Sequence, residues 1–126
     1  MIVADSDVLI DYLRGRDPGC TRITQELQQD LATTAVSAFE LLSGARNARQ
    51  REKVGTLLAA IHILPLDAAA AAAAAKARLE LEGRGEPLAM ADCLIAGICL
   101  ARPATLLTRN RAHFERVPGL KLGTLG

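Results

Sequence analysis

The first fifteen residues, "MIVADSDVLIDYLRG" (1–15), hold the pattern that decides the fold. Residues 2–4, "IVA", form a short apolar run that ends directly on acids, as a buried strand would. "DVLIDYLRG" (7–15) then sets Val8, Leu9, Tyr12 and Leu13 on one side of a helix that Gly15 closes. Strand and helix keep alternating downstream. "TRITQELQQD" (21–30) reads as a short helix and "LATT" (31–34) as a strand. Ser37 is placed to cap the helix "AFELLSGAR" (38–46), and residues 48–60 give another helix. "IHILPL" (61–66) is a strand stopped by Pro65.

Asp67 is a good N-cap for the alanine tract 68–75, which runs on through "KARLELE" to Gly83. Alanine is the strongest helix former, so the tract predicts a well-formed helix whose small side chains allow close packing. Its smooth face is also compatible with a homodimer contact. "GRGEP" (83–87) is a loop before a long apolar helix; "ATLLT" (104–108) is a strand, "NRAHFERV" (110–117) a short helix and "LKLGTL" (120–125) a final strand. Such alternation predicts an α/β fold with a parallel sheet covered on both faces.

The totals limit what the chain can be. Its 126 residues suit one domain, 1–126. Half of them are hydrophobic, but only two Phe, one Tyr and no Trp are present. The core must therefore be aliphatic, and no aromatic platform exists for stacking single-stranded bases. A net charge of +1 excludes binding a polyanion by bulk charge, leaving local Arg clusters or a metal. Cys20, Cys93 and Cys99 have no metal-ligand spacing; the odd count suits a reducing cytoplasm, and Cys93 and Cys99 read as small core residues. Asp5, Asp7 and Asp11 rule out a signal peptide, and the apolar run near residue 92 falls short of the ~20 residues of a membrane span. A soluble cytoplasmic protein is expected, with no membrane partner.

That run, "EPLAMADCLIAGICLAR" (86–102), contains one charged residue between Pro87 and Arg102: Asp92. A carboxylate buried without a partner is costly, so it neutralises, pairs or binds a metal. Ligands of open α/β sheets bind beyond the carboxyl ends of the strands. Asp5 stands at the end of the first strand, Glu40 about a turn and a half beyond the second, and Asn110 after "ATLLT". Asp92 rides on the helix that feeds that strand. Three acids and an amide can thus share one crevice. Crowded carboxylates suit a hard divalent cation, Mg²⁺ or Mn²⁺, with waters and substrate phosphates completing the shell.

Each residue also has a plainer role available. Asp5 or Asp7 can cap the first helix, with Asp7 the closer to "VLID"; Asp11 and Asp17 read as solvated. Glu40 can be a surface helix residue, and Asp92 can pair with a distant Arg. His62 reads as structural and His113 as a surface helix residue.

"IVADSDVLIDYL", "VSAFELLSGAR", "ADCLIAG" and "LLTRNRAHFERVPGLKL" resemble, in order and over nearly the whole chain, the PIN-domain ribonuclease toxins of VapC type. The resemblance implies a three-layer α/β/α sandwich around a parallel sheet of about five strands. It implies a Mg²⁺- or Mn²⁺-dependent endoribonuclease, the toxin of a type II toxin–antitoxin system, acting on structured RNA such as tRNA or rRNA segments. It also implies a homodimer and a small cognate antitoxin. Asp5, Glu40 and Asp92 match the metal-binding acids of the family, and Ser6 its small hydroxyl residue. The fourth acid of many relatives is Asn110 here, which is left to orient a water or an outer-shell ligand. Arg46, Arg49 and Arg51, with Arg109 and Arg111, are candidate phosphate contacts.

Three other readings compete. A receiver domain has the right length, with Asp67 as phosphoacceptor and Lys121 as its late lysine, but it gives Asp92 no role. An Asp-based phosphatase is suggested by "DSDV" but needs a larger chain. A PIN fold without catalysis, acting as a binding module, is the third.

Overall fold

The computed structural model describes residues 1–126. Five strands form one parallel sheet: β1 (Ile2–Ala4), β2 (Leu31–Thr34), β3 (His62–Leu64), β4 (Thr105–Leu107) and β5 (Lys121–Leu122), in the order β3-β2-β1-β4-β5. The helices are α1 (Ser6–Leu13), α2 (Gly19–Leu27), α3 (Ala35–Gly44), α4 (Ala48–Ala59), α5 (Ala68–Gly83), α6 (Met90–Leu100) and α7 (Arg111–Phe114).

Successive strand residues point to opposite faces, so each strand feeds two cores. Val3, Ala32, Leu64 and Leu106 pack with Ala70, Leu81, Ile95, Ile98 and Phe114 on the side of α5 and α6. Ala4, Leu31 and Leu107 pack with Val8, Leu9, Ile23, Leu41 and Leu57 on the side of α1–α4. The architecture is the expected three-layer α/β/α sandwich. The chain lays β1, β2 and β3 outward in one direction, then returns to set β4 on the other side of β1. That reversal leaves a crevice at the carboxyl ends of β1 and β4, where α/β folds bind ligands.

Asp67 caps α5 as its position implied: its Oδ1 accepts from the Ala70 N–H at 2.9 Å. The alanine tract is indeed helical and closely packed. Its buried stripe, Ala70, Ala74, Ala77 and Leu81, belongs to the inside of the molecule. Gly97 of α6 is set against Ala70 and Ala74 there. Cys93 and Cys99 are buried and free, as small core residues.

Several local expectations change. Ser37 is not a cap: α3 starts two residues earlier, and Thr34 caps it, its Oγ1 accepting from the Ser37 N–H at 3.0 Å. Thr34 is fully buried, so Thr34→Ala is expected to lower unfolding free energy by about 1–2 kcal/mol in urea titration. His62 is an exposed residue of the edge strand β3, 2.8 Å from Asp30. The final helix is a single turn, and the final strand is two residues, followed by a Gly123 N–H that donates to Leu106 O at 2.9 Å. Asp67 follows an edge strand, two strands away from β1, and Arg102 also holds it at 3.3 Å. That removes the phosphoacceptor role required of a receiver domain, whose strand order is 2-1-3-4-5. No helix is long and apolar enough to cross a membrane.

Candidate active site

Asp5 is where β1 becomes α1. Its backbone N–H still donates along the sheet, to Leu107 O at 2.9 Å, while its side chain caps the helix by accepting from Ser6 N at 2.8 Å. Two buried hydroxyls complete the cradle: Thr108 donates to Asp5 Oδ2 at 2.8 Å and Ser37 to Asp5 Oδ1 at 3.4 Å. The carboxylate is therefore fixed from α1, α3 and the end of β4 at once.

Glu40 lies on the inner side of α3. Ser6 Oγ donates to its Oε1 at 3.1 Å, linking Glu40 to the residue next to Asp5. Asn110 follows β4; its N–H donates to Thr108 Oγ1 at 3.0 Å, and its Nδ2 is 2.8 Å from His113 Nδ1. His113 Nδ1 is 3.9 Å from Asp92 Oδ2. One chain of contacts thus joins Glu40, Ser6, Asp5, Thr108, Asn110, His113 and Asp92.

Asp92 differs from its expected setting. It occupies the first turn of α6 and its side chain keeps 21 % of its exposure, because only the later turns of the helix are enclosed. Its near partner is the imidazole of His113, read from the sequence as a plain surface residue. No distant arginine reaches it. Asp7 and Asp11 also depart from expectation. Asp7 is inside the first turn of α1, its Oδ2 accepting the Arg109 N–H at 3.1 Å, and its Oδ1 is buried with no partner. Asp11 is buried, its Oδ2 2.8 Å from Arg109 Nε. Thr108, His113 and these two acids were missed because each is defined by a partner about a hundred residues away or by a turn too short to show periodicity.

Burial is the main reason that the Asp5 carboxyl is pushed up to about 6, with the charges of Asp7 and Glu40 adding to it; the Thr108 and Ser6 hydrogen bonds act in the opposite sense. Asp7 and Asp92 are also raised by burial, opposed by Arg109 and by His113 respectively. A crevice that disfavours its own negative charge is one that a cation relieves. No three acid, imidazole or thiol side chains converge closely enough to enclose an ion by themselves. Mg²⁺ does not require such a cage, since it takes one or two carboxylates and keeps waters. The oxygen-rich set around Asp5 fits an open site of that kind.

The PIN domain family matches residues 2–120. The chain is 34 % identical to ribonuclease VapC10 of Mycobacterium tuberculosis, over 96 % of this chain and 91 % of that one. It is 30 % identical to the tRNA(fMet)-specific endonuclease VapC of Shigella flexneri, over 93 % and 92 %. A toxin–antitoxin complex from Klebsiella pneumoniae contains a chain of the same fold, with a TM-score of 0.79, 22 % identity, and coverage of 100 % and 98 %. With its sheet, its switch-point acids and these relatives, the chain belongs to the PIN-domain family, among the ribonuclease toxins of VapC type.

Proposed function

We propose that the chain is an endoribonuclease, the toxin of a type II toxin–antitoxin pair, and that it hydrolyses RNA phosphodiesters with the help of Mg²⁺ or Mn²⁺. The observation that carries this reading is Asp5: a buried carboxylate, raised to about 6, held by three donors at the switch point of the sheet and linked through Ser6 to Glu40. Asp5 and Asp92, with Glu40 close by, would hold the cation. When bound, it neutralises the carboxylates, draws charge from a phosphate oxygen and lowers the pKa of a water.

The chain's own residues do the rest. Ser6 N–H, Ser37 and Thr108 keep Asp5 pointed into the crevice. Glu40 has a free second oxygen to orient the attacking water and accept its proton. Asn110 and His113 hold the Asp92 side of the crevice. Arg46, Arg49 and Arg51 are exposed just beyond the Glu40 helix and can position the RNA backbone without reading its sequence. The name of the Shigella relative supports a structured target such as a tRNA.

A groove of about 250 Å³ between α1, α3 and α4, walled by Ile10, Leu13, Leu41, Val54 and Glu40, supports binding of a peptide segment from an antitoxin next to the site. Phe39 and Leu42, exposed on α3, support a homodimer. A cytoplasmic location goes with this reading.

The test is RNA 5′-end mapping with purified protein. Wild type is expected to cut in Mn²⁺ and not in EDTA, and Mn²⁺ is expected to raise its melting temperature. Asp92→Asn should lower cleavage at least about a hundredfold and remove most of the melting shift. Equal cleavage in EDTA would exclude the metal, and a folded wild type that cuts no RNA in Mn²⁺ would favour the non-catalytic PIN module.

A further inference from the structure

Arg109 adjoins Asn110 and reads from the sequence as a phosphate contact, but the structure commits it elsewhere. Its backbone N–H donates to Asp7 Oδ2 at 3.1 Å, and its Nε is 2.8 Å from Asp11 Oδ2. Asp7 and Asp11 are four residues apart, one above the other on a face of α1. Helix α2 closes over that face: a Cβ placed on Gly19 would stand 3.2 Å from the Asp11 Cβ. The Asp11 carboxylate is thus shut away from water on one side and faces a single guanidinium on the other. Arg109 is the one cation against this buried carboxylate, so truncating it leaves Asp11 without a charge partner.

The residues on either side of Arg109 belong to the site. Thr108 donates to Asp5, and the Asn110 N–H donates back to Thr108. Gripping Arg109 by both main chain and side chain therefore fixes the turn that carries both.

We infer that Asp7 and Asp11 on α1 form a latch on Arg109 that sets Thr108 and Asn110 in the active site, so that Arg109 is a positioning residue and not an RNA contact. The kinetic consequence rests on the ribonuclease reading above; the geometry does not.

Arg109→Ala, Asp11→Asn and the double variant distinguish the two roles. A latch gives a kcat about tenfold lower in each single variant, with KM and the salt dependence of RNA affinity unchanged. The double variant should be no worse than either single one, because the two residues act as one unit. A phosphate contact instead gives Arg109→Ala a higher KM and a salt slope smaller by about one, with Asp11→Asn neutral or binding RNA more tightly. That pattern would overturn the inference.

Amide hydrogen exchange supplies a second readout that needs no catalysis. Arg109 is half-exposed, so its alanine variant remains foldable even where Asp11→Asn is not. In Arg109→Ala the Asn110 amide is expected to exchange at least about tenfold faster, with amides of β1 and β4 unchanged. Unaltered protection at Asn110 removes the latch whether or not the protein cuts RNA. A wild type without nuclease activity removes the ribonuclease reading and leaves the exchange result to judge the latch.

Discussion

Asp5→Asn is expected to lower RNA cleavage by about a thousandfold, several kcal/mol of transition-state stabilisation, and at the same time to make the metal-free protein more stable at pH 7. The first effect follows from losing the carboxylate at the centre of the crevice. The second follows from linkage. Burial, then Asp7 and Glu40, raise this carboxyl from 3.8 to about 6 in the folded chain. Between those two values the folded state binds a proton that the unfolded state has released. Stability therefore falls as pH rises through the window from about 4 to 6, and the full penalty stands above it. Two pKa units correspond to about 3 kcal/mol. Asparagine carries no charge to desolvate, and its Oδ1 can still accept from Ser6 N–H. Urea unfolding in a chelator should show a higher midpoint for the variant at pH 7 and a flatter profile between pH 4 and 6. A variant less stable than wild type at pH 7 would show that the carboxylate is not strained.

Gly97→Ala is the change expected to damage the fold most for its size. A Cβ at this position would lie 2.5 Å from Ala70 O, 2.6 Å from Ala74 N and 2.5 Å from Ala74 Cβ. Two of these three atoms are backbone, and the third is fixed to it. No rotamer change relieves the clash, so α5 and α6 must separate as rigid rods and loosen the core around Leu81, Ile95 and Ile98. About 3 kcal/mol is expected, at the upper end for overpacking. Gly55→Ala is the control. It is also inside a helix, α4, but a Cβ there meets nothing within 4 Å. It should be neutral or stabilising by up to about 1 kcal/mol. If both variants unfold at the wild-type urea concentration, the close approach of α5 and α6 is not real.

The alternation that predicts the sandwich is a local property, and it is written in local chemistry. "IVA" runs into a helix that ends where Gly15 adopts φ +68°, and the longest helix is capped by Asp67 and stopped just before Gly85 at φ +70°, because a cap and a C-terminal glycine are both local signals. The assignment of the three acids to one rim comes by a different route. Strand ends on a parallel sheet share a rim, so Asp5, Glu40 and Asp92 could be assigned to one region without knowing a single contact. Their partners could not. Asp11 reads as solvated because the sequence of α1 shows one apolar side; α2 covers a second side, and nothing near residue 11 announces an arginine at 109. His113 sits in a single helical turn, too brief for periodicity to say which way its ring points. Ser37 reads as a cap because it precedes the apolar residues. Thr34 fills that role because the helix follows β2 with no loop at all.

The position of β1 between β2 and β4 has a bearing on synthesis of the protein. Asp5 precedes Thr108 by 103 residues. At roughly 5–20 residues per second, the ribosome needs on the order of ten seconds to make that interval. Throughout it, the first strand has a neighbour on one edge only, and its terminal acid lacks the hydroxyl that orients it. Late arrival of the fourth strand leaves the Asp5 carboxylate without its Thr108 donor until most of the chain has been made.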